Sequence, residues 1–459
     1  MTKMKMQTAS PCSSQGSIRR FYAPSDAVRL PTVARAEGVY MWDAAGRRYI
    51  DASSGPVVSN IGHGNHRVIN AMYEQAKKVT YAHRTVFENE PNILLGDLVT
   101  KLAGPGLERA YFVSGGSEAT ETAIKLARQY AVVRGDAERW KVISLDPGYH
   151  GATLGAFAVS GDPQTQTVFG ALAKGMPKAP APFRYRLPPN HDSDGYARYC
   201  AAALEELIVR EGPQTVLAFM MEPVGGLATG ALVAHDEYYR TVREICSRHG
   251  VLLIYDEVMS GAGRTGTFLA AHHWPDAKPD LVTLAKGIGA GYTPLGAVLA
   301  PSAMVDTVVG AGGFLHSYTY AANPLSCAVG LAVVSELIDH NLMANAGAMG
   351  LRMRQRLEEL QATSGIIGDI RGNGLLMAIE IVANKETKEM LPAARQAVYR
   401  IVELGIERGL LLYSRRTANG KFGEWLMISP PLTVTNEEVD EIARLIGETL
   451  AAYEKELAS

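Results

Sequence analysis

Short apolar runs alternate with longer amphipathic stretches from about residue 91 to residue 330. This alternation is typical of a mostly parallel β-sheet whose strands are joined by crossover helices. It predicts strands at Ala110–Val113, Lys141–Leu145, Val216–Met221, Val251–Tyr255, Leu281–Ala285 and Leu295–Ala300. Several of these runs end directly in polar residues or glycine. Because ligands of open α/β sheets bind at the carboxyl ends of the strands, we expect a ligand site at that edge.

The pattern changes on both sides of this region. Gly38–Asp43 alternates like a strand, Ala44–Gly46 supplies a turn and Arg48–Asp51 returns, which predicts an N-terminal hairpin. After residue 330 a long helix, short strands and a last helix near 435–453 predict an α+β lobe. The expected domains are an arm and hairpin over 1–90 that belong to the small domain, a large domain over 91–330, and a small α+β domain over 331–459.

Residues 160–195 are rich in proline. Proline lacks a backbone N–H and cannot continue a helix or a central strand. The prolines concerned are Pro177, Pro180, Pro182, Pro188 and Pro189. We therefore interpret the segment as a long surface excursion.

The composition is that of a globular protein that binds small molecules. The 459 residues are 47% hydrophobic and 20% charged, and a chain of this length favours two lobes, since cores stop growing near ~250–300 residues. The net charge of −2 argues against nucleic acid or an anionic membrane as the main partner. No apolar run approaches the ~18–20 residues of a membrane span, and the N-terminus lacks the apolar core of a secretory signal. Residues 1–25 are interpreted as a flexible arm.

The cysteines and histidines do not indicate a metal site. Cys12, Cys200, Cys246 and Cys327 lie far apart and fit neither a disulfide framework nor a zinc pattern, which favours a reducing cytoplasm. The adjacent pair His272-His273 has no third ligand at a suitable spacing, so we interpret it as structural.

A strand, a glycine turn and a helix start follow one another in Tyr111–Ala119. Backbone N–H groups at a helix start, together with the positive end of the helix dipole, suit a phosphate. Gly116 and Ser117 lie at this point. A plain serine-capped helix is the alternative interpretation of the same pattern.

Two further strand ends carry an acid and a lysine. Asp256 ends the run Val251–Tyr255, where a carboxylate can keep a pyridinium nitrogen protonated, although a turn residue is the alternative. Lys286 follows Leu281–Ala285 and precedes Gly287, and partial desolvation there would lower its pKa toward nucleophilicity. A lone lysine is usually a surface residue, so the hypothesis depends on the whole set.

Three more segments complete that set. Tyr149-His150-Gly151 follows a predicted strand and could place an aromatic face over a flat ring, with a core Tyr beside a satisfied His as the alternative. Glu222 ends another strand and could accept hydrogen bonds near a cofactor, or could be a turn acid before Pro223. The loop His316–Pro324, which contains Thr319, offers a hydroxyl and backbone donors beside an anion.

These motifs occur together in the order and spacing of one family. The set is Ser114–Ala119, Tyr149-His150-Gly151, Glu222-Pro223, Asp256-Glu257-Val258, Gly263-Arg264-Thr265-Gly266, Lys286-Gly287 and Thr319. From about residue 20 the chain resembles the class III aminotransferases, which are fold-type I enzymes dependent on pyridoxal phosphate. Each motif alone is weak, whereas seven in register are highly specific.

The resemblance implies a role for each residue. It assigns the cofactor phosphate to Gly116 and Ser117, the ring faces to Tyr149 and Val258, and the pyridine nitrogen to Asp256. Lys286 would form the Schiff base with the cofactor, Glu222 would support the site, and His150 is counted among the cofactor-binding residues. Thr319 would reach the phosphate of a neighbouring subunit. Active sites of this family lie between subunits. A homodimer or a dimer of dimers is therefore implied.

The implied reaction moves an amino group from an ω-amino acid or a primary amine to a keto acid such as pyruvate. Arg415 or Arg416 lies where relatives of this type carry a mobile arginine for the substrate carboxylate, with a surface loop as the alternative. Met259–Ala262 lacks the glutamine of ornithine- and 4-aminobutyrate-type relatives. The loop Ser53–Val58, where pocket residues are expected, lacks the large aromatic residue of many amine transaminases.

Two other functions remain open at this stage. The same fold and cofactor would serve a lyase or decarboxylase, because only the orientation of the substrate decides which bond breaks. A non-catalytic cofactor-binding protein is the remaining alternative. The presence of both Asp256 and Lys286 argues against it.

Overall fold

A seven-stranded sheet forms the centre of the molecule in the computed structural model, which describes residues 30–459. The expected flexible arm over 1–25 and Cys12 lie outside the described residues. In spatial order the strands are Arg109–Val113, Gly296–Ala300, Leu281–Leu284, Leu252–Asp256, Val216–Met221, Lys141–Asp146 and Lys178–Pro180. Gly296–Ala300 is antiparallel to both of its neighbours, and the remaining pairs are parallel.

The α/β fold class and the six predicted strands are confirmed. Each predicted strand end lies within one residue of the observed one. The prediction succeeds because helices cover both faces of a parallel sheet, so its central strands are continuous apolar runs. Val216–Met221 and Gly296–Ala300, for example, are buried at every position.

The interpretation of residues 160–195 as a surface excursion was incomplete. The segment contains the helix Pro163–Phe169 and the edge strand Lys178–Pro180. Pro163 occupies the first helical position, where no intrahelical N–H bond is needed. Pro180 is tolerated because an edge strand pairs on one side alone.

Helices cover the two faces of the sheet. One face packs against Gly116–Val133, Leu154–Val159 and Ser302–Gly310. The other packs against Glu90–Ala103, Ser193–Glu211, Asp236–His249 and Pro324–Asp339. This last helix runs across the domain boundary expected at residue 330.

The N-terminal hairpin is confirmed within a larger sheet. Tyr40–Asp43 and Arg48–Asp51 pair antiparallel, and Val33–Glu37 adds a strand on the outside. Leu410–Leu411 pairs parallel with Arg48–Asp51, which joins the hairpin to the C-terminal part of the chain. The short helix Ser54–Val57 and the helix His66–Lys78 then lead toward the large sheet.

A four-stranded antiparallel sheet forms the C-terminal lobe. Its strands, in spatial order, are Ile367–Asn373, Leu376–Ile381, Gly423–Ile428 and Tyr413–Thr417, and its helices are Leu342–Thr363, Ala397–Glu407 and Asn436–Ala458. The last helix begins at a capping box, in which Thr435 and Glu438 each bind the other's backbone N–H. This sheet carries Arg415 toward the large domain.

Residues 30–459 contain no disulfide. Cys200, Cys246 and Cys327 are free and buried. The described part of the chain brings together no group of three side chains suited to a metal ion. It contains no single helix long and apolar enough to cross a membrane, although the bent pair Pro324–Asp339 and Leu342–Thr363 meets those criteria jointly.

Candidate active site

A cavity of about 460 Å³ opens at the carboxyl ends of the large sheet. Adjacent parallel strands deliver residues to it, because their ends meet at one edge. It brings together the predicted residues Gly116, Ser117, Tyr149, His150, Glu222, Asp256, Val258, Lys286 and Arg415. Thr319 and Arg416 do not line it.

The predicted phosphate site is the start of the helix Gly116–Val133. Gly115 is extended, so the chain enters the helix with the N–H groups of the first turn unbonded within the helix. Glu118 turns back and accepts a hydrogen bond from the Ser114 N–H at 2.8 Å. The Ser117 hydroxyl accepts one from the Ala152 N–H at 3.0 Å. Free N–H donors and a hydroxyl fit a phosphate group.

Gly116 also sets the distance to the next wall of the cavity. A Cβ at this position would lie 2.8 Å from a methyl carbon of Val258. Glycine therefore allows Val258 to pack directly against the helix start. This packing fixes the predicted phosphate site relative to Val258, the side chain expected to contact the cofactor ring.

Asp256 is a buried carboxylate with three polar partners. Its side chain is 4% exposed. Oδ2 lies 2.8 Å from Nδ1 of His150, while Oδ1 accepts from the Val258 N–H at 3.0 Å and the Thr283 hydroxyl at 3.3 Å. These contacts fix the carboxylate at the cavity wall. Its position and chemistry fit the ring nitrogen of pyridoxal phosphate.

His150 lies behind Asp256. His150, which the sequence predicts to bind the cofactor, is among the residues that line the cavity. Its imidazole is 3% exposed and contacts the carboxylate. Its Nε2 is buried and has no hydrogen-bond partner among the described residues. His150 therefore acts on the site through the orientation and charge of Asp256.

Lys286 lies at the floor of the cavity, two residues beyond the strand Leu281–Leu284. Its backbone has φ +44°, and its side chain is partly buried. Burial lowers the pKa of the ammonium group, while Asp256 and Glu222 act in the opposite direction. A lysine with a lowered pKa is a stronger nucleophile at neutral pH because more of it is uncharged.

This shift predicts the pH dependence of cofactor uptake. The uncharged amine is the form that attacks the cofactor aldehyde, so the uptake rate should rise with pH and level off above the pKa of Lys286. Because burial lowers that pKa, the midpoint should fall below that of free lysine reacting with pyridoxal phosphate. Stopped-flow absorbance of the cofactor-free protein measures it. A midpoint equal to that of free lysine would contradict the prediction.

Glu222 joins two loops at the side of the cavity. One carboxylate oxygen accepts from the Tyr149 N–H at 3.2 Å and the other from the Gly226 N–H at 2.8 Å. Burial raises the pKa of this carboxyl group. The ring of Tyr149 remains 43% exposed and lines the cavity, where it is available for stacking.

Thr319 lines a neighbouring cavity of about 790 Å³, which shares Ser114, Pro294 and Leu295 with the first. Thr319 itself is exposed. Its expected role toward the phosphate of a neighbouring subunit stays a prediction.

The two arginines point in opposite directions from the strand Tyr413–Thr417. Arg415 lines the cavity and its Nη2 lies 2.6 Å from the Asp162 carboxylate. Arg416 points the other way, where Nη1 lies 3.0 Å from the buried Glu424. Successive side chains of a strand alternate between its faces, so only one of the two can reach the cavity. Arg415 is therefore the candidate for the substrate carboxylate, and Arg416 has a structural partner instead.

Sequence reasoning missed several residues of this site. Tyr413 lines the cavity and was recoverable, because it precedes Arg415 by two positions on the same strand face. Asp162 had no local signal, since its partner lies 253 positions away. Leu227 and Ala228 also line the cavity and follow no motif.

The fold and the site together define an enzyme of the pyridoxal phosphate-dependent fold-type I class. The supporting features are a lysine and an aspartate at adjacent strand ends and a helix start suited to a phosphate. Comparison with known proteins agrees: the model of the family described as aminotransferase class-III matches residues 21–450. The chain belongs to the class III aminotransferase family and is a transaminase.

Similar proteins cover nearly the whole chain. A diaminobutyrate–2-oxoglutarate transaminase of Halomonas elongata is 34% identical over 89% of this chain and 88% of its own length. A hypotaurine/taurine–pyruvate aminotransferase of Paracoccus denitrificans is 32% identical over 90% of both chains. Among solved structures, an (S)-enantioselective omega-transaminase from Thermomicrobium roseum has a TM-score of 0.85 and 35% identity, covering 92% of this chain and 93% of its own.

Proposed function

We propose that this aminotransferase takes the amino group of an ω-amino acid or a primary amine and passes it to pyruvate. The observation that carries the proposal is the ion pair between Arg415 and the 3% exposed Asp162 at the cavity wall. A paired guanidinium leaves the wall nearly neutral, so a donor without a carboxylate is accepted. The same guanidinium makes one hydrogen bond to Asp162 and can exchange it for a substrate carboxylate, a group that guanidinium binds bidentately.

The residues of the cavity fit pyridoxal phosphate. When bound, the cofactor supplies an electron-accepting ring that stabilises negative charge next to the transferred nitrogen. Gly116 and Ser117 would hold its phosphate, Asp256 its ring nitrogen and Lys286 its aldehyde carbon. Tyr149 and Val258 would contact the ring.

The chain's own groups then account for proton movement. Lys286 would be the general base of the site: its free Nζ would take a proton from the substrate carbon and give it to the carbon of the cofactor that carries the aldehyde. Its lowered pKa brings the base closer to the working pH. Asp256 would keep the ring nitrogen protonated, and His150 holds Asp256 in place through the 2.8 Å contact.

Pyruvate is favoured over a dicarboxylic acceptor because it has a single carboxylate to bind. Among the described residues that line the cavity, Arg415 and Lys286 are the cationic ones. An acceptor with a second carboxylate would have no second guanidinium from this chain. The Paracoccus relative, which is named for pyruvate, supports this choice, whereas the Halomonas relative is named for 2-oxoglutarate.

Replacing Arg415 with leucine tests the proposal. Loss of a charge-assisted hydrogen bond should raise KM for pyruvate and for a carboxylate-bearing donor by about 10- to 100-fold. The KM of a primary amine without a carboxylate should change little. The measurement is alanine formation across a panel of donors, with pyruvate and 2-oxoglutarate compared as acceptors.

Two further variants make this result interpretable. Arg415→Leu leaves Asp162 buried without its partner, so the double variant Asp162→Asn/Arg415→Leu should show the same selectivity without that unpaired charge. Lys421→Leu removes an exposed cation outside the cavity and should leave every KM unchanged. Equal loss for donors with and without a carboxylate would contradict the role of Arg415, and ammonia release without an acceptor would favour a lyase.

We also propose that the protein is a homodimer or a dimer of dimers. Support comes from a set of exposed apolar side chains beside the cavity that contains Thr319, namely Tyr81, Val86, Phe87 and Tyr320. Large contiguous apolar surfaces favour association with another chain. A second copy on this surface would also bring its residues close to Ser114, which lines both cavities.

A reducing cytoplasm is the proposed location. Cys200, Cys246 and Cys327 are unpaired and buried, so none of these three residues contributes to a disulfide. Proteins of oxidising compartments more often use their cysteines as disulfides. This supports the proposal made from the sequence.

A further inference from the structure

One wall of the cavity is a loop that follows the strand Val216–Met221. The loop runs over residues 222–232, and its residues Leu227 and Ala228 line the cavity. Glu222 holds its first part, through the hydrogen bond from the Gly226 N–H. Within the loop, the N–H groups of Thr229 and Gly230 bond the Gly226 oxygen at 3.3 and 2.9 Å. The oxygens of Leu227, Ala228 and Gly230 accept no backbone N–H from the described residues, so their partners are side chains of other elements.

Three side chains of the C-terminal lobe donate hydrogen bonds to four carbonyl oxygens of this loop, those of Leu227, Ala228, Thr229 and Gly230. Trp425 donates from Nε1 to the Leu227 oxygen at 2.9 Å. Thr417 donates its hydroxyl to the Ala228 oxygen at 3.0 Å. Arg371 donates from Nε to the Gly230 oxygen at 2.6 Å. We call these three donors the carbonyl clamp.

The carbonyl clamp is itself rigid. Trp425 and Thr417 are 0% and 1% exposed, so their hydrogen bonds do not compete with water. Arg371 is fixed from behind by Glu380 at 2.6 Å and Asp369 at 2.9 Å. All three donors belong to the four-stranded sheet, whose edge strand Tyr413–Thr417 also supplies Arg415 to the cavity.

The loop is pressed tightly against the carbonyl clamp. Gly230 has φ +62°, and a Cβ there would lie 2.5 Å from Cδ2 of Trp425 and 2.7 Å from Nη2 of Arg371. Glycine is therefore needed for this close approach. Because this contact leaves no free space, the position of the four-stranded sheet fixes the positions of Leu227 and Ala228.

We infer that the carbonyl clamp sets the width of the substrate pocket, so that Trp425, Thr417 and Arg371 are positioning residues for the size of the amine accepted. The inference rests on the proposed function, because it concerns amine donors. The cofactor side of the site is anchored separately, by the contacts of Asp256 with His150, Val258 and Thr283. Loosening the clamp should therefore change substrate selectivity and leave cofactor binding intact.

The test removes one donor at a time without changing shape greatly. Trp425→Phe removes the indole N–H, and Thr417→Val removes the hydroxyl at nearly constant volume. Without this hydrogen bond the loop is held less firmly against the four-stranded sheet, so Leu227 and Ala228 can move aside for a larger substrate. The ratio of KM for a bulky aromatic amine to KM for a small alkyl amine should then fall by about 2- to 10-fold, the usual effect of one hydrogen bond. The affinity for pyridoxal phosphate should stay unchanged.

A second readout does not depend on turnover. Two non-reactive carboxylic acids, one small and one carrying a bulky aromatic group, are titrated into the holoenzyme by calorimetry. Their ratio of dissociation constants should shift in the same direction as the KM ratio. If the wild-type enzyme converts no amine of the panel, the proposed function fails. The titration still tests whether the carbonyl clamp sets the width of the pocket, because it does not depend on turnover.

Two controls frame the result. Leu227→Ala widens the pocket directly and should shift both ratios as the clamp variants do. Tyr453→Phe removes a buried, unpartnered hydroxyl elsewhere in the C-terminal lobe and should shift neither. Unchanged ratios in both Trp425→Phe and Thr417→Val, or an unchanged ratio in Leu227→Ala, would overturn the inference. If Trp425→Phe does not fold, Thr417→Val decides.

Discussion

Replacing Lys286 with alanine is expected to abolish amino-group transfer, with turnover falling by about 10⁴-fold or more. The side chain has two tasks, covalent attachment of the cofactor and proton transfer at the substrate carbon, and a positioned acid or base alone contributes about 10²–10⁴-fold. No other lysine lines the cavity among the described residues. Turnover of an amine and pyruvate, followed through alanine formation, measures the loss.

A matched control separates Lys286 from other buried lysines. Burial also lowers the pKa of Lys178, to about 8, but its Nζ donates to the backbone oxygens of Ala158 and Met176 outside the cavity. The folded fraction of the Lys178→Met protein should therefore turn over substrate at the rate of the wild type. Reduction of the bound cofactor onto its lysine, followed by peptide mapping, should identify Lys286. Attachment at Lys178, or normal turnover of Lys286→Ala, would show the assignment to be wrong.

The strands and the residues at their ends could be predicted from the sequence. Buried parallel strands such as Val216–Met221 must be apolar throughout, so a polar residue directly after one marks the strand end. Glu222, Asp256 and Lys286 all follow such runs. Their convergence in one cavity then follows from sheet geometry, since parallel strands expose their carboxyl ends together.

Contacts between distant segments could not be predicted in the same way. The partners of Arg415 and Arg416 are Asp162 and Glu424, and only the pairing of strands decides which arginine faces which acid. The edge strand Lys178–Pro180 has too few residues and too much proline to give a periodic signal. In each case the determining contact is tertiary, and local propensity carries no information about it.

The segment Tyr149-His150-Gly151 shows how a motif can be recognised before the direction of each side chain is known. The sequence suggested an aromatic face over the ring, with a core Tyr beside a satisfied His as the alternative. Both residues line the cavity, but Tyr149 is exposed there, whereas His150 is buried against Asp256. Adjacent residues of an irregular loop have no fixed periodicity, so sequence spacing could not assign their directions.

Asp256→Asn is expected to lower kcat by about 10²–10³-fold, the scale at which one electrostatic contact to developing charge contributes. Asparagine keeps the size of the side chain, but it removes the negative charge that would hold the ring nitrogen protonated. The variant should still bind pyridoxal phosphate, because Gly116, Ser117 and Lys286 are unchanged. Single-turnover measurements with an amine donor separate the chemical step from binding.

The matched control is Asp280→Asn, in the same sheet but at the opposite end of a strand. Asp280 accepts hydrogen bonds from Arg243 of the helix Asp236–His249 and from the Leu253 N–H near the amino end of its strand. None of these residues lines the cavity. Its loss should lower stability and leave kcat unchanged. An Asp256→Asn enzyme with the kcat of the wild type would mean that the buried carboxylate supports the loop through Val258 and Thr283 alone. The charge of Asp256, held by His150, would then have no part in the reaction.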